Sequence, residues 1–130
     1  MSFLRANAKQ FLEQAKFAMQ KRFYNLVLFN IEQEIQLYLK FILYLITGEY
    51  PKTHKLSDLF KYVVSVLDER CNIKHFYENN KDFLNVIEFS YISSRYLPHS
   101  FSEENAQKAL KLGEEFDVLI EECLKIIQNY

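Results

Sequence analysis

Arg95-Tyr96-Leu97-Pro98-His99 sets a guanidinium and an imidazole on one short segment with three residues between them. Arginine offers a planar fork of donors that fits a phosphate, and histidine titrates near neutral pH and can move a proton. Against one phosphodiester the two could cleave RNA without a metal: His99 would activate or protonate an oxygen, and Arg95 would offset the charge of the transition state. The start of the following helix would add anion-binding potential, partly cancelled by Glu103 and Glu104. The same residues allow a plainer reading, in which Arg95 caps carbonyls at the end of the preceding helix and His99 is a solvated loop residue. A second polar set, Gln33, Gln36 and Lys40, has spacings of three and four and so shares one helical face. Polar groups in line along an otherwise apolar helix need partners or a groove. A tyrosine hydroxyl or a neighbouring helix end would serve as well as a ligand.

Other chemistries find little support. A di-metal helical bundle needs Glu-x-x-His on inward faces, and that pattern does not occur in the chain. Cys71 and His75 form a C-x3-H pair with no second half-site at zinc spacing, which reads as a buried thiol and a loop histidine. No metal ligands and no cofactor are expected. Glu114–Glu115 and Glu121–Glu122 read as solvated helix faces rather than acid–base pairs. Gly48 and Gly113, the two glycines, cannot make a phosphate-cradling loop. With 16 Lys and Arg against 17 Asp and Glu, the chain has no general attraction for polyanions, so any anion site must be local. Cys71 and Cys123, far apart in sequence, suggest a reduced, cytoplasmic setting. Met1 to Asn7 lack a signal-peptide pattern. Leu37 to Ile46 is interrupted by Lys40 and is too short to span a bilayer, so no membrane partner is expected.

The elements that must position these residues read as helices throughout. Two glycines and two prolines in 130 residues leave few turns and therefore long helices. The first helix is expected over Phe3 to Arg22, with Leu4, Ala8, Phe11, Leu12, Ala15, Ala18 and Met19 on one face. The second runs from Tyr24 to Thr47, is capped by Gly48 and cannot continue through Pro51. Its last turns are apolar almost all round, which makes it the central helix or one that also faces a second subunit. A third helix is expected over His54 to Arg70. The polar stretch Cys71 to Lys81 then holds at most a single turn around His75 to Glu78, and a fourth helix spans Lys81 to Ser93. Ser94 to Phe101 reads as a loop. Ser102 is a good N-cap for a last helix that reaches Gln128. With no sustained period-two alternation, the fold class is all-α: an antiparallel up-and-down four-helix bundle with a short extra helix in a connection. It is read as one domain over residues 1–130.

These motifs, in this order, resemble the HEPN family, the higher-eukaryote and prokaryote nucleotide-binding domains, over nearly the whole chain. The small packing residues Ala8, Ala15 and Ala18 open the match. Gln33, Gln36, Leu39 and Lys40 resemble the family's Gln-x-x-Glu-x-x-Leu-Lys, with Gln36 in place of the usual acid. Thr53, His54, Leu56 and Leu59 match Thr-His-x-Leu-x-x-Leu, and Arg95, Tyr96 and Pro98 resemble its Arg-Tyr-Pro with Leu97 interposed. The resemblance implies a homodimeric bundle tied to nucleotides or RNA. It also implies a nucleotidyltransferase-domain partner, the two acting as toxin and antitoxin. Active members are metal-independent endoribonucleases in which four to six residues stand between Arg and His, where this chain has three. The resemblance therefore makes Arg95 and His99 the catalytic pair, here at the shorter spacing, and Gln33, Lys40, His54 and Tyr96 residues that bind nucleotide or RNA. In nucleotidyltransferase-paired members a Tyr stands six residues after the Arg, where this chain has Phe101. The other reading of the chain is a non-catalytic helical dimerisation module.

Overall fold

Five helices, and no strand, make up the computed structural model, which describes residues 2–128. Met1, Asn129 and Tyr130 of the expected single domain lie outside the described residues. The helices are α1 (Ser2–Gln20), α2 (Tyr24–Thr47), α3 (Leu56–Val66), α4 (Ile73–Tyr96) and α5 (Glu103–Gln128). Four are long, and the short α3 lies in the connection between α2 and α4, as an all-α bundle with one extra helix requires. None of these helices is long and apolar enough to cross a membrane.

Cross-helix contacts fix the directions. Arg5 pairs with Glu121 and Lys9 with Asp117, so α1 and α5 are antiparallel. Ser94 Oγ donates to the Asn25 carbonyl, and Phe29 stacks near Tyr91, so α2 and α4 are antiparallel. Phe60 stacks on Tyr77 with centroids 4.9 Å apart, and Glu88 meets the start of α3, which makes α3 antiparallel to α4 as well. Helix α2 packs on all four others and is the spine that its apolar girth predicts. Its interior residues Val27, Leu28, Ile31, Ile35, Tyr38, Leu39 and Ile42 are fully buried. An aromatic set of Phe60, Phe76 and Phe116 closes the core between α3, α4 and α5. Burying one such ring contributes roughly 1.5–3 kcal/mol.

The helix ends have physical causes. At the end of α1, Arg22 takes a left-handed φ of 60°. The Phe23 N–H reaches the Ala18 carbonyl at 2.9 Å and the Arg22 N–H reaches Met19 at 3.1 Å, the two bonds of a Schellman turn. Gly48 ends α2 at φ 82° with its N–H on Tyr44, as expected. Ser102 Oγ accepts the Asn105 N–H at 3.0 Å and caps α5.

Two expectations are corrected. The third helix is shorter than His54 to Arg70: it begins at Leu56, whose N–H donates to Glu88 Oε1 of α4 at 2.6 Å. This carboxylate cap comes from another helix, which local sequence does not reveal. The fourth helix starts eight residues earlier than Lys81 and ends three later than Ser93. What reads as a polar loop from Cys71 to Lys81 is its first two turns, so His75 is a helical residue, its Nε2 2.8 Å from Asn79 Nδ2. Asn80 interrupts the apolar stripe but stays in the helix, donating to the Phe76 carbonyl at 2.8 Å. The rings of Phe76 and Tyr77, packed on Phe60, override the low helix propensity of the Asn79–Asn80 pair.

Candidate functional site

The longer α4 moves the motif. Arg95 and Tyr96 are not loop residues, as the sequence suggested, but the last turn of α4; Leu97 is the C-cap, and Pro98 to Ser102 is the loop. Arg95 Nε and Nη2 both donate to the Tyr91 carbonyl, at 3.1 and 2.8 Å, so this side chain folds back on its own last turns, though Tyr91 is not among the unpaired carbonyls that follow Ser93. Its planar face lies over three rings, 4.7 Å from the centre of Tyr91, 5.0 Å from Tyr96 and 5.1 Å from Phe29. The residue is exposed, and the two bonds to Tyr91 engage only part of a five-donor fork.

His99 sits on a different aromatic bed. Its ring packs edge-on against Phe101 at 4.5 Å and Phe89 at 5.5 Å. The loop is pinned by Asn25, which donates to the His99 carbonyl at 2.7 Å and accepts the Phe101 N–H at 2.8 Å. No hydrogen bond joins Arg95 to His99 among the described residues. Phe101 is buried, so the ring at the position where a paired family member carries Tyr anchors the loop.

The second constellation is buried in α2. Glu32 is fully buried and accepts from Gln33 Nε2 at 2.7 Å and Gln36 Nε2 at 2.9 Å. Gln36 Oε1 accepts from Lys40 Nζ at 3.0 Å and lies 3.0 Å from His54 Nδ1. Burial pushes the Glu32 carboxyl up to about 7, with the negative charge of Glu88 adding and the two amides and Lys40 opposing. Burial also lowers the Lys40 ammonium, against the pull of Glu32. The His54 ring stacks on Tyr91 at 5.0 Å and 20°, the same ring that carries Arg95.

Five of the six residues predicted from sequence thus fall into two linked neighbourhoods. Lys40 and His54 meet at Gln36, and Gln33 turns to Glu32 beside them. Arg95 and Tyr96 stack together, and His99 stands apart on Phe89. A groove of about 470 Å³ runs between the start of α3 and α4, lined in part by His54, Lys55, Asn85, Glu88, Phe89 and Tyr91. Sequence reasoning missed Glu32, Glu88, Tyr91 and Asn25. Glu32 was findable, because it extends the polar row of α2 by one helical turn. Tyr91 also had a signal, one turn before Arg95. Asn25 had none.

Of the acidic pairs, Glu121 is not merely solvated: it binds Lys9 at 2.9 Å and Arg5 through its two nitrogens. Cys71 and Cys123 are buried free thiols, Cys71 Sγ lying 3.8 Å from the Cys123 carbonyl. No group of three or more metal-ligating side chains converges among the described residues.

No curated protein matches the chain. A family model for the HEPN domain matches residues 1–123 of the 130. The match takes in all of α1 to α4, both polar constellations and most of α5, and the chain belongs to the HEPN family.

Proposed function

We propose that this HEPN protein binds single-stranded RNA or a nucleotide at the end of α4 and cleaves RNA there without a metal. The observation that carries the reading is the exposed cationic and aromatic platform: Arg95 over Tyr91, Tyr96 and Phe29, with Tyr96 70 % exposed. Unpaired bases stack on such rings for about 1–3 kcal/mol each, and the free part of the guanidinium fits a phosphate. His99 supplies the second group of the catalytic pair, His54 and Tyr96 face the bound nucleotide, and Gln33 and Lys40, turned inward to Glu32 and Gln36, act on it only through that buried row.

The working unit in this proposal is a homodimer. Phe89, Ile92 and Tyr96, at helical spacing on α4, are 47, 53 and 70 % exposed, and Leu97 adjoins them at 46 %. A contiguous apolar stripe next to a polar site suits a second subunit. Family resemblance extends the proposal to a nucleotidyltransferase-domain partner in a toxin–antitoxin pair in the cytoplasm, which co-purification with the product of an adjacent gene would test.

The test is cleavage of labelled single-stranded RNA in the presence of chelator by wild type, Arg95→Ala and His99→Ala. Wild type should cut and both variants should lose about a hundredfold or more. Wild-type inactivity refutes the catalytic reading. One observation favours a non-catalytic dimerisation module instead: two Arg95 nitrogens donate to the Tyr91 carbonyl and tie the side chain to its own helix. On that reading Arg95→Ala lowers stability and leaves RNA binding unchanged.

A further inference from the structure

We propose that His54 is the proton-accepting imidazole of this site, its Nδ1 kept protonated by Gln36 and its Nε2 left basic toward the groove beside Tyr91 and Arg95. The inference rests on the RNA-cleaving reading above and assigns a role to a residue outside the Arg95–His99 motif.

The argument is a chain of donor and acceptor identities. Once ionised, above a pKa of about 7, Glu32 presents only acceptor oxygens, so the Gln36 group facing it at 2.9 Å is the amide NH2. Lys40 Nζ is a donor only, so the Gln36 atom facing it at 3.0 Å is the carbonyl oxygen. The two neighbours agree, and the amide has one orientation. That same oxygen lies 3.0 Å from His54 Nδ1, which must therefore carry a proton to make the bond. A neutral His54 then has its lone pair on Nε2. No protein hydrogen bond to that nitrogen is present among the described residues, and His54 lines the groove. A carbonyl that fixes one ring nitrogen so that the other can act is how proteins select a histidine tautomer. Glu32 and Gln36 are positioning residues in this scheme.

Tyr91 is common to both groups, the His54 ring lying 5.0 Å and the Arg95 guanidinium carbon 4.7 Å from its centre. His99 is linked to the groove through Phe89. The step balances as an internal transesterification. His54 Nε2 takes the proton of a ribose 2′-hydroxyl as that oxygen forms a bond to the adjacent phosphorus. The bond from phosphorus to the 5′-oxygen breaks with its electron pair, and the departing oxygen takes a proton from His99. The products are a 2′,3′-cyclic phosphate and a free 5′-hydroxyl. Arg95 balances the extra negative charge on the phosphoryl oxygens.

Two measurements on the full chain test this. Long-range proton–nitrogen NMR correlations on histidine-labelled protein, assigned with His54→Asn, report the tautomer without any substrate. The expected result is a protonated Nδ1 and a bare Nε2 on neutral His54; a protonated Nε2, or an average of the two forms, overturns the proposal. The second measurement is cleavage of single-stranded RNA of mixed sequence by His54→Gln, its fold checked by circular dichroism and thermal unfolding. A loss of about 10²–10⁴-fold in kcat, with RNA affinity retained, supports the role. Wild-type rates in His54→Gln, with wild type and His99→Ala behaving as proposed above, overturn it and leave the RNA reading standing. Wild-type protein that cuts no RNA overturns that reading and the base role with it.

Discussion

Glu34 offers the sharpest test of the energetics. It is wholly buried where α2 meets α5, and neither carboxyl oxygen has a hydrogen-bond partner among the described residues. Lys9 and Lys16 face it from α1, and Asp117 and Glu114 from α5. Burial drives its pKa well above the ordinary 4.5, Asp117 adds to the rise, and the two lysines oppose it. The sign follows. The folded state prefers the protonated carboxyl, so the stability tied to this group is full below about pH 4.5 and is lost as pH rises through the folded pKa. The perturbation is Glu34→Met, which keeps the length and removes the orphan acceptors. An unsatisfied buried group costs about 1–3 kcal/mol, so the variant should be at least that much more stable at pH 8. The advantage should shrink toward pH 5 at a rate of up to about 1.4 kcal/mol per pH unit. Glu34→Gln, which keeps the polarity but not the titration, should share the flattened pH dependence. Urea unfolding of the three proteins at several pH values reads this directly. A Met variant less stable than wild type at pH 8, or a difference that does not change with pH, would refute the account of Glu34 as an unpaired buried acid.

Three further outcomes are expected. Arg22→Gly relieves a left-handed φ on a side-chain-bearing residue in an exposed turn and should gain about 1 kcal/mol in thermal or urea unfolding. Gly113→Ala places a Cβ 2.5 Å from Ile31 Cδ1 and 2.6 Å from Glu34 Oε1; overpacking of about 1–3 kcal/mol outweighs the roughly 1 kcal/mol helix-propensity gain. Unfolding of the double variant with Glu34→Ala should show the loss only partly relieved, because the contact with Ile31 remains. Ile92→Glu puts a charge in the exposed α4 stripe; under the dimer proposal light scattering should give a dimer mass for wild type and a monomer mass for the variant, and equal masses in the two proteins would remove that stripe as the interface.

Most of the fold was legible because the helices announce themselves by spacing. Tyr24–Thr47 was readable to the residue, since Gly48 and Pro51 stop it and its apolar residues surround it. The start of α4 was not, because Asn79 and Asn80 are poor helix formers and the rings that hold them in place come from α3 and α5. The start of α3 was hidden for a similar reason: its cap is Glu88, 32 residues away from Leu56. For the site, sequence pointed at Lys40, His54, Arg95 and His99 by type and motif. It could not show that His54 and Arg95 share Tyr91 and that His99 rests on Phe89, because that depends on α4 running one turn further than the motif suggested.

The polar row of α2 bears on which functional reading deserves priority. A helix at the centre of a bundle gains most from apolar residues, and replacing buried polar groups by apolar ones of similar volume is often neutral or stabilising. Yet Glu32, Gln36 and Lys40 are all less than one-tenth exposed. Each has a partner in the row, and the far end of the row is an exposed histidine at the mouth of a groove. Local departures from the apolar pattern that are fully hydrogen-bonded, and that terminate at a surface, are where proteins trade stability for a site. A plain dimerisation scaffold would need the α4 stripe but has no use for this row. If Glu32→Leu, Gln36→Leu and Lys40→Leu together gave a folded dimer with full RNA cleavage, the row would be packing alone. Loss of cleavage in a folded dimer would tie the buried amide and its two charged neighbours to the chemistry at the surface.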